Sequence, residues 1–412
     1  MNLTIARLGH LGEAIAQGPD GPVYAGQMLP GEAVEGTLSG DRLRDVRIVT
    51  PSPDRVRPPC VHARTCGGCL MQHASDSFVA GWKQEIVRSA LAGRGIEAPF
   101  RALHTSPPQS RRRATLAARR TKGGALLGFH ARGSDVLVAV PNCQLLHPDL
   151  IATFPGLEAL VKVGGSRSGE LALTVTRSLG GPDVSVTGGK PLDGALRMEL
   201  ARVAGAHGVA RLTWDGEVVA LSTAPMQRMG RALVSPPPGT FLQATEEGER
   251  ALLRAVSDAL GPVRRIVDLF AGVGTFALPL AERAEVLAVE SDPAMMAALD
   301  KAARSAEGLK RVTVETRDLF RRPLEPDEFK GMDGVVIDPP RAGAEAQTEA
   351  LARARVPVIA AVSCNPVTFA RDAKTLIAAG YSLDWVQVVD QFRWSAHVEL
   401  AARFSLAHIP RT

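Results

Sequence analysis

Aromatic side chains are scarce: Phe, Trp and Tyr make up 4% of the 412 residues, and only two are tyrosine. So thin a supply of rings gives no evident stacking platform for single-stranded nucleic acid. Long apolar runs are missing too. VPVIAAV, at 356–362, falls well short of the roughly 20 residues that a membrane-spanning helix needs. The opening segment MNLTIARLGH lacks the apolar core of a signal peptide. The expected location is therefore the cytoplasm, with no membrane partner. Cysteine is limited to five residues, and a reducing cytoplasm disfavours structural disulfides, so clustered cysteines there point to metal binding or chemistry.

What is present describes a globular chain. With 45% hydrophobic and 22% charged residues it has enough length for two or three domains. The net charge is +5. Arg111, Arg112, Arg113, Arg119, Arg120 and Lys122 bunch into one short segment, which either attracts phosphates or forms a solvated face.

Residues 1 to about 55 read as short alternating strands, LTIARL, PVYAGQM, EAVEGTLSG and RLRDVRIV, and fit a small five-stranded barrel. The proline-rich PSPDRVRPP then leads into a mixed region, from about 56 to 235, with strand-like runs VLVAV, ELALTVT, DVSVT and EVVALST that suggest an antiparallel sheet with a few helices. A second linker, SPPPGTF, opens the stretch 236–412, where helix and strand alternate. A helix over about Thr245–Leu260, strand RRIVDLF, helix TFALPLAERA, strand EVLAVE, helix PAMMAALDKAARSA and strands VTVET, GVVIDPP and VPVIAAVSC predict a parallel, doubly wound α/β sheet.

Motifs fall at the ends of those strands. In DLFAGVGTF, Gly272 and Gly274 permit a tight turn beneath a ligand, and Glu290 ends the next strand, where an acid accepts ribose hydroxyls. The spacing Gly272, Gly274, Ala277 also satisfies a dinucleotide fingerprint, so it does not separate a nicotinamide cofactor from S-adenosylmethionine. Asp318 and Asp338 add acids along the same edge, which suits a sulfonium cofactor without a pyrophosphate. Cys364, in SCNPVTFARD, follows a buried strand at that edge and is the candidate nucleophile. HVEL places His397 and Glu399 on one face of an expected strand and makes Glu399 a candidate base.

The other cysteines are Cys60, Cys66 and Cys69 in CVHARTCGGC, and a distant Cys143 in PNCQLLHP. Zinc sites usually pair cysteines as two close couples; three close thiols and one remote are nearer the plant-type ferredoxin pattern.

Together DLFAGVGTFALPLA, DPPRAGA, SCNPVTFARD and HVE resemble the RNA 5-methyluridine methyltransferases, the S-adenosylmethionine-dependent uracil-C5 family. The resemblance implies a Rossmann-like class I methyltransferase domain at 236–412, an OB-like TRAM barrel for RNA binding at 1–55, and a central α+β iron–sulfur domain at 56–235. It makes Cys364 the nucleophile and Glu399 the base, with Gln243, Phe270, Thr275, Glu290, Asp318 and Asp338 around the cofactor. Thr275 stands where the family often has Asn, as does Thr245 in FLQAT, and FRWSAHVE lacks the usual proline and threonine. By the same resemblance Cys60, Cys66, Cys69 and Cys143 hold a [4Fe-4S] cluster, and the substrate is a flipped uridine of 23S ribosomal RNA. Transfer RNA is the alternative substrate; an iron–sulfur oxidoreductase or an RNA-binding module without catalysis are the competing readings.

Overall fold

The computed structural model describes residues 1–406. Its first element is a closed barrel of five strands, from Asn2–Leu8 to Arg42–Thr50. Alternate residues, among them Ile5, Ala14, Ala16, Val23 and Val34, fill its interior, the period-2 pattern that the sequence shows.

A seven-stranded sheet follows. Its strands run mostly antiparallel, as expected, but Asp183–Thr187 and Arg211–Trp214 pair in parallel because helix Gly194–Ala206 lies between them in the chain as a crossover. That helix and Phe154–Gly164 supply Leu157, Leu160, Leu200 and Val203 to the core.

The C-terminal sheet has eight strands, in the order Val312–Thr316, Glu285–Glu290, Arg265–Leu269, Gly334–Ile337, Val358–Ser363, Leu400–Leu406, Tyr381–Asp390, His104–Thr105. Its first five strands are parallel. Gly334–Ile337 and Val358–Ser363 are buried at every residue, as strands covered on both faces must be. Ile266 packs with helix Glu246–Leu260 on one side, while Val267 packs with helices Glu345–Ala354 and Pro366–Ala378 on the other. Helix Glu246–Leu260 starts where expected: Thr245 Oγ1 accepts from Gly248 N–H at 2.9 Å, and Glu246, Glu247 and Glu249 occupy the first turn.

Several expectations change. Three pieces of the 56–235 stretch pack with the C-terminal sheet rather than with the seven-stranded one. Helix Asp76–Ala92 buries Val79, Lys83, Val87 and Leu91, and its Val87 and Leu91 join the C-terminal core. His104–Thr105 adds the edge strand, and hairpin Gln227–Met229 with Ala232–Val234 packs Met229, Ala232 and Val234 into the same unit. The helix expected over TFALPLAERA contracts to Ala277–Leu280, since the next strand begins at Glu285 and leaves no room for another turn. HVEL is not a strand throughout: Leu400 opens the strand, and His397, Val398 and Glu399 lie in the loop before it. Among the described residues no helix is long and apolar enough to cross a membrane.

Lys83 falls within the apolar stripe of its helix because Asp390, at the end of Tyr381–Asp390, meets it: Nζ donates to Asp390 Oδ1 at 2.6 Å and to Phe392 O at 3.0 Å, with both side chains buried. Replacing only Lys83 by Met strands a buried carboxylate, and is expected to cost about 3–5 kcal/mol of stability in denaturant titration. The double variant Lys83→Met/Asp390→Leu should recover most of that loss.

Candidate active site and cysteine cavity

The parallel order reverses at Arg265–Leu269, with Glu285–Glu290 on one side and Gly334–Ile337 on the other, so a crevice opens at the carboxyl ends of these strands. The chain leaves Leu269 through Phe270, at φ +62°, and Gly272 and Gly274, at +55° and +98°. A Cβ on Gly274 would sit 2.8 Å from Leu278. The turn that results is the floor of a cavity of about 440 Å³.

Every residue expected at the cofactor or in the chemistry lines that one cavity: Gln243, Phe270, Thr275, Glu290, Asp318 and Asp338, together with Cys364 and Glu399. Glu290 is held by the N–H groups of Gly272, Ser291 and Asp292, at 3.2, 2.6 and 3.2 Å. Asp318 accepts from Phe320 N–H at 3.0 Å, and Phe320 packs against Phe270 with ring centroids 5.5 Å apart. Phe241 and Met295 complete an apolar wall that sequence reasoning left out.

Cys364 stands on the turn between strand Val358–Ser363 and helix Pro366–Ala378. Asn365 fixes that turn: its Oδ1 accepts from Val367 N–H, and its Nδ2 donates to Arg341 O at 2.8 Å. Burial, then Glu399 and Asp338, push the thiol up to about 11, while Arg341 opposes them. Burial lifts Asp338 to about 7. Glu399 is driven well above the usual carboxylate range by burial and by Asp338, and Gln391 partly offsets this with a hydrogen bond. Burial together with a neighbouring negative charge favours the protonated form of such a carboxyl group.

The sequence placed His397 beside Glu399, but the loop separates them. Glu399 faces the first cavity, whereas His397 is exposed, meets Arg341 through Nδ1 at 3.3 Å, and lines a second cavity. That second cavity, about 530 Å³, is lined by Cys60, Cys66, Cys69 and Cys143. Burial is the main cause that pushes Cys69 up to about 12 and raises Cys66 and Cys143, and the thiols also act on one another. Among the described residues no three His, Cys, Asp or Glu side chains converge closely enough for a single metal ion. Trp394 ties the loop before Leu400 to the first cysteine segment: its carbonyl accepts from the N–H groups of Leu70 and Met71, next to Cys69.

The basic segment is largely committed within the fold. Arg112 is buried and bonded to Glu249 and Gln243 O, Arg113 donates to Gly239 O, and Arg119 pairs with Glu170. Arg111 lines the cysteine cavity. An open row of phosphate-binding arginines is therefore not what these residues form.

Comparison with known proteins agrees with this geometry. The family model described as tRNA (Uracil-5-)-methyltransferase matches residues 237–405. An uncharacterized RNA methyltransferase of Brucella suis is 42% identical over 97% of this chain and 96% of its own length. The chain belongs to the RNA uracil-5 methyltransferase family. Its reaction is S-adenosylmethionine-dependent methylation of RNA at uracil C5. A second member, the 23S rRNA (uracil(1939)-C(5))-methyltransferase of Chromohalobacter salexigens, is 34% identical over 96% of this chain and 87% of its own. The mixed α/β fold with its N-terminal barrel is shared with the Pyrococcus abyssi tRNA (uracil-54, C5)-methyltransferase in complex with S-adenosyl-L-homocysteine, at a TM-score of 0.75, 23% identity, and coverage of 98% and 99%.

In this methyltransferase two positions where the sequence departs from its family are explained locally. Thr245 does not line the cavity but caps a helix, a task that Asn performs equally well. FRWSAHVE turns at Trp394, φ +59°, and buries that ring beside the cysteines.

Asp268 was not singled out from the sequence. It is fully buried beneath the glycine turn, with neither carboxylate oxygen in a hydrogen bond among the described residues. Burial first, then Asp338, push it well above its ordinary value of 3.8. A raised folded-state value means that its stabilising contribution is full below the unfolded value and is lost as pH rises through the folded one. Asp268→Asn should therefore leave Tm unchanged in acid and raise it progressively towards alkaline pH, as read by calorimetry across a pH series.

Proposed function

We propose that this chain methylates C5 of one uridine in large-subunit ribosomal RNA through a covalent bond between Cys364 and C6 of the base. The observation that carries the reading is that Cys364 and Glu399 open into the same acid-rich cavity. C5 of uracil is too weak a nucleophile to take a methyl group unaided, so covalent help is needed. The Cys364 thiolate adds to C6, and the C5=C6 electron pair moves onto the C4 carbonyl as an enolate. Bound S-adenosylmethionine supplies the methyl group that C5 then takes. Glu399 removes the C5 proton, the double bond re-forms, and the thiolate leaves. The uridine reaches this pocket only when unpaired or flipped, at a cost of a few kcal/mol.

The lining fits the cofactor. Glu290, Asp318, Asp338 and Glu399 favour a cation, and Phe241, Phe270 and Phe320 offer apolar faces to an adenine. The residues fit a [4Fe-4S] cluster: all four thiols line one cavity, and a cluster takes one thiolate per iron. Methyl transfer moves no electrons, so the cluster's role here is to shape the region between Cys69 and Trp394.

The ribosomal assignment is supported by the named activity of the 34%-identical relative, which aligns with 96% of this chain. The transfer-RNA reading is favoured by the name of the family model, which matches only residues 237–405. Mapping 5-methyluridine in total RNA from cells with and without the gene decides between them: a mark lost from large-subunit ribosomal RNA is the expected result, and a mark lost from transfer RNA overturns it. Cys364→Ala should lower methylation by at least roughly 1,000-fold while leaving RNA binding intact. The wild-type rate should rise with pH above the usual carboxylate range, as Glu399 gives up its proton. Iron analysis of anaerobically purified protein tests the cluster, and zinc in place of iron would refute it.

A further inference from the structure

We propose that Gln391 is a positioning residue for removal of the C5 proton, whose side-chain amide, anchored on Ala244 and Gln243, fixes one oxygen of Glu399 and leaves the other free towards the cavity. This rests on the reading of Glu399 as base. Gln391 is buried, immediately beyond the Lys83–Asp390 pair. The N–H of Ala244 donates to its Oε1 at 2.7 Å. A backbone N–H only donates, so the amide oxygen must face Ala244 and the NH2 must face the other way. Its two hydrogens go to Gln243 Oε1 and, at 3.1 Å, to Glu399 Oε2.

The polarity then propagates. Gln243 gives its oxygen to Gln391 and turns its own NH2 to the cavity it lines. Glu399 has one oxygen fixed and keeps the other for a proton. Gln391 itself has little room to swing, because a Cβ on Gly248 of the neighbouring helix would come within 2.6 Å of its Cβ. The charged and titratable groups that act on Glu399 are Asp338, beyond Gly334–Ile337, and Cys364, beyond Val358–Ser363, with Arg341 beside Cys364. No cation bonds to Glu399 among the described residues, so the Gln391 donor is what favours its ionised form.

Gln391→Met keeps the side chain's length and removes both donors. Release of methylated product from total RNA of cells lacking the gene should fall by roughly 10- to 100-fold, the range seen when a supporting hydrogen bond is lost. The acid limb of the pH–rate profile should move to higher pH, since a carboxylate without its donor ionises less readily. RNA from the same cells grown with 5-fluorouracil separates the steps. Fluorine at C5 leaves no proton to remove, so Cys364 stays bonded to C6 after methylation and a denaturation-resistant adduct accumulates. That adduct should form in Gln391→Met at close to the wild-type rate. Should Met destabilise the fold, Gln391→Glu keeps the Ala244 bond and is expected to shift the acid limb in the same direction. The proposal is overturned if adduct formation falls in step with product release, or if release and the acid limb stay at wild type. Glu399→Gln is run in parallel: wild-type product release there sinks the base assignment itself, whereas loss there with a normal Gln391→Met sinks only the positioning role.

Discussion

Crowding of acids in one poorly hydrated crevice is the constraint on which this structure turns. A doubly wound sheet gathers the carboxyl ends of its parallel strands at one edge, and here those ends carry Asp268, Glu290 and Asp338, while Glu399 reaches the same edge from the loop that leads into the antiparallel strand Leu400–Leu406. Burial and mutual repulsion hold Asp268, Asp338 and Glu399 above their ordinary range. Such a site has a standing deficit of positive charge. A sulfonium ligand relieves it, and the same arriving charge lowers the cost of ionising the Cys364 thiol, so cofactor binding and the state of that thiol are linked electrostatically.

The loop between Asp390 and Leu400 carries a second dependence. Its first residue completes a buried ion pair, the next bonds Glu399 and Gln243, Trp394 grips the backbone beside Cys69, and His397 lines the cysteine cavity. The two cavities therefore share one loop: the segment that lines the cysteine cavity also carries the side chain that bonds Glu399.

Much of the site was legible in the sequence because strand-end position is a local property. Each of Phe270, Glu290, Asp338 and Cys364 directly follows an apolar run, and parallel strands deliver their ends to the same edge. What could not be read depends on partners far along the chain. Lys83 meets Asp390 across 307 positions, and Arg112 meets Glu249 across 137; no local periodicity encodes such pairs. For the basic segment the sequence left a phosphate-binding surface and a solvated face both open, because its counter-groups lie far along the chain. HVEL misled for a different reason: its alternation is that of a strand, but the ladder begins only at Leu400, after the turn at Trp394. Gln391 was overlooked because its importance lies in hydrogen-bond direction, which a residue type does not reveal.

The edge strand His104–Thr105 and helix Asp76–Ala92 have a consequence for biogenesis. They are made early, yet their seat on the sheet is Tyr381–Asp390, far along the chain from them. The barrel needs no residue beyond Thr50 to close, whereas the C-terminal sheet must wait for Tyr381–Asp390 before its early segments dock. Such non-local closure is slow, and until it is complete the Val87 and Leu91 face of that helix lacks the apolar partners it packs against in the fold.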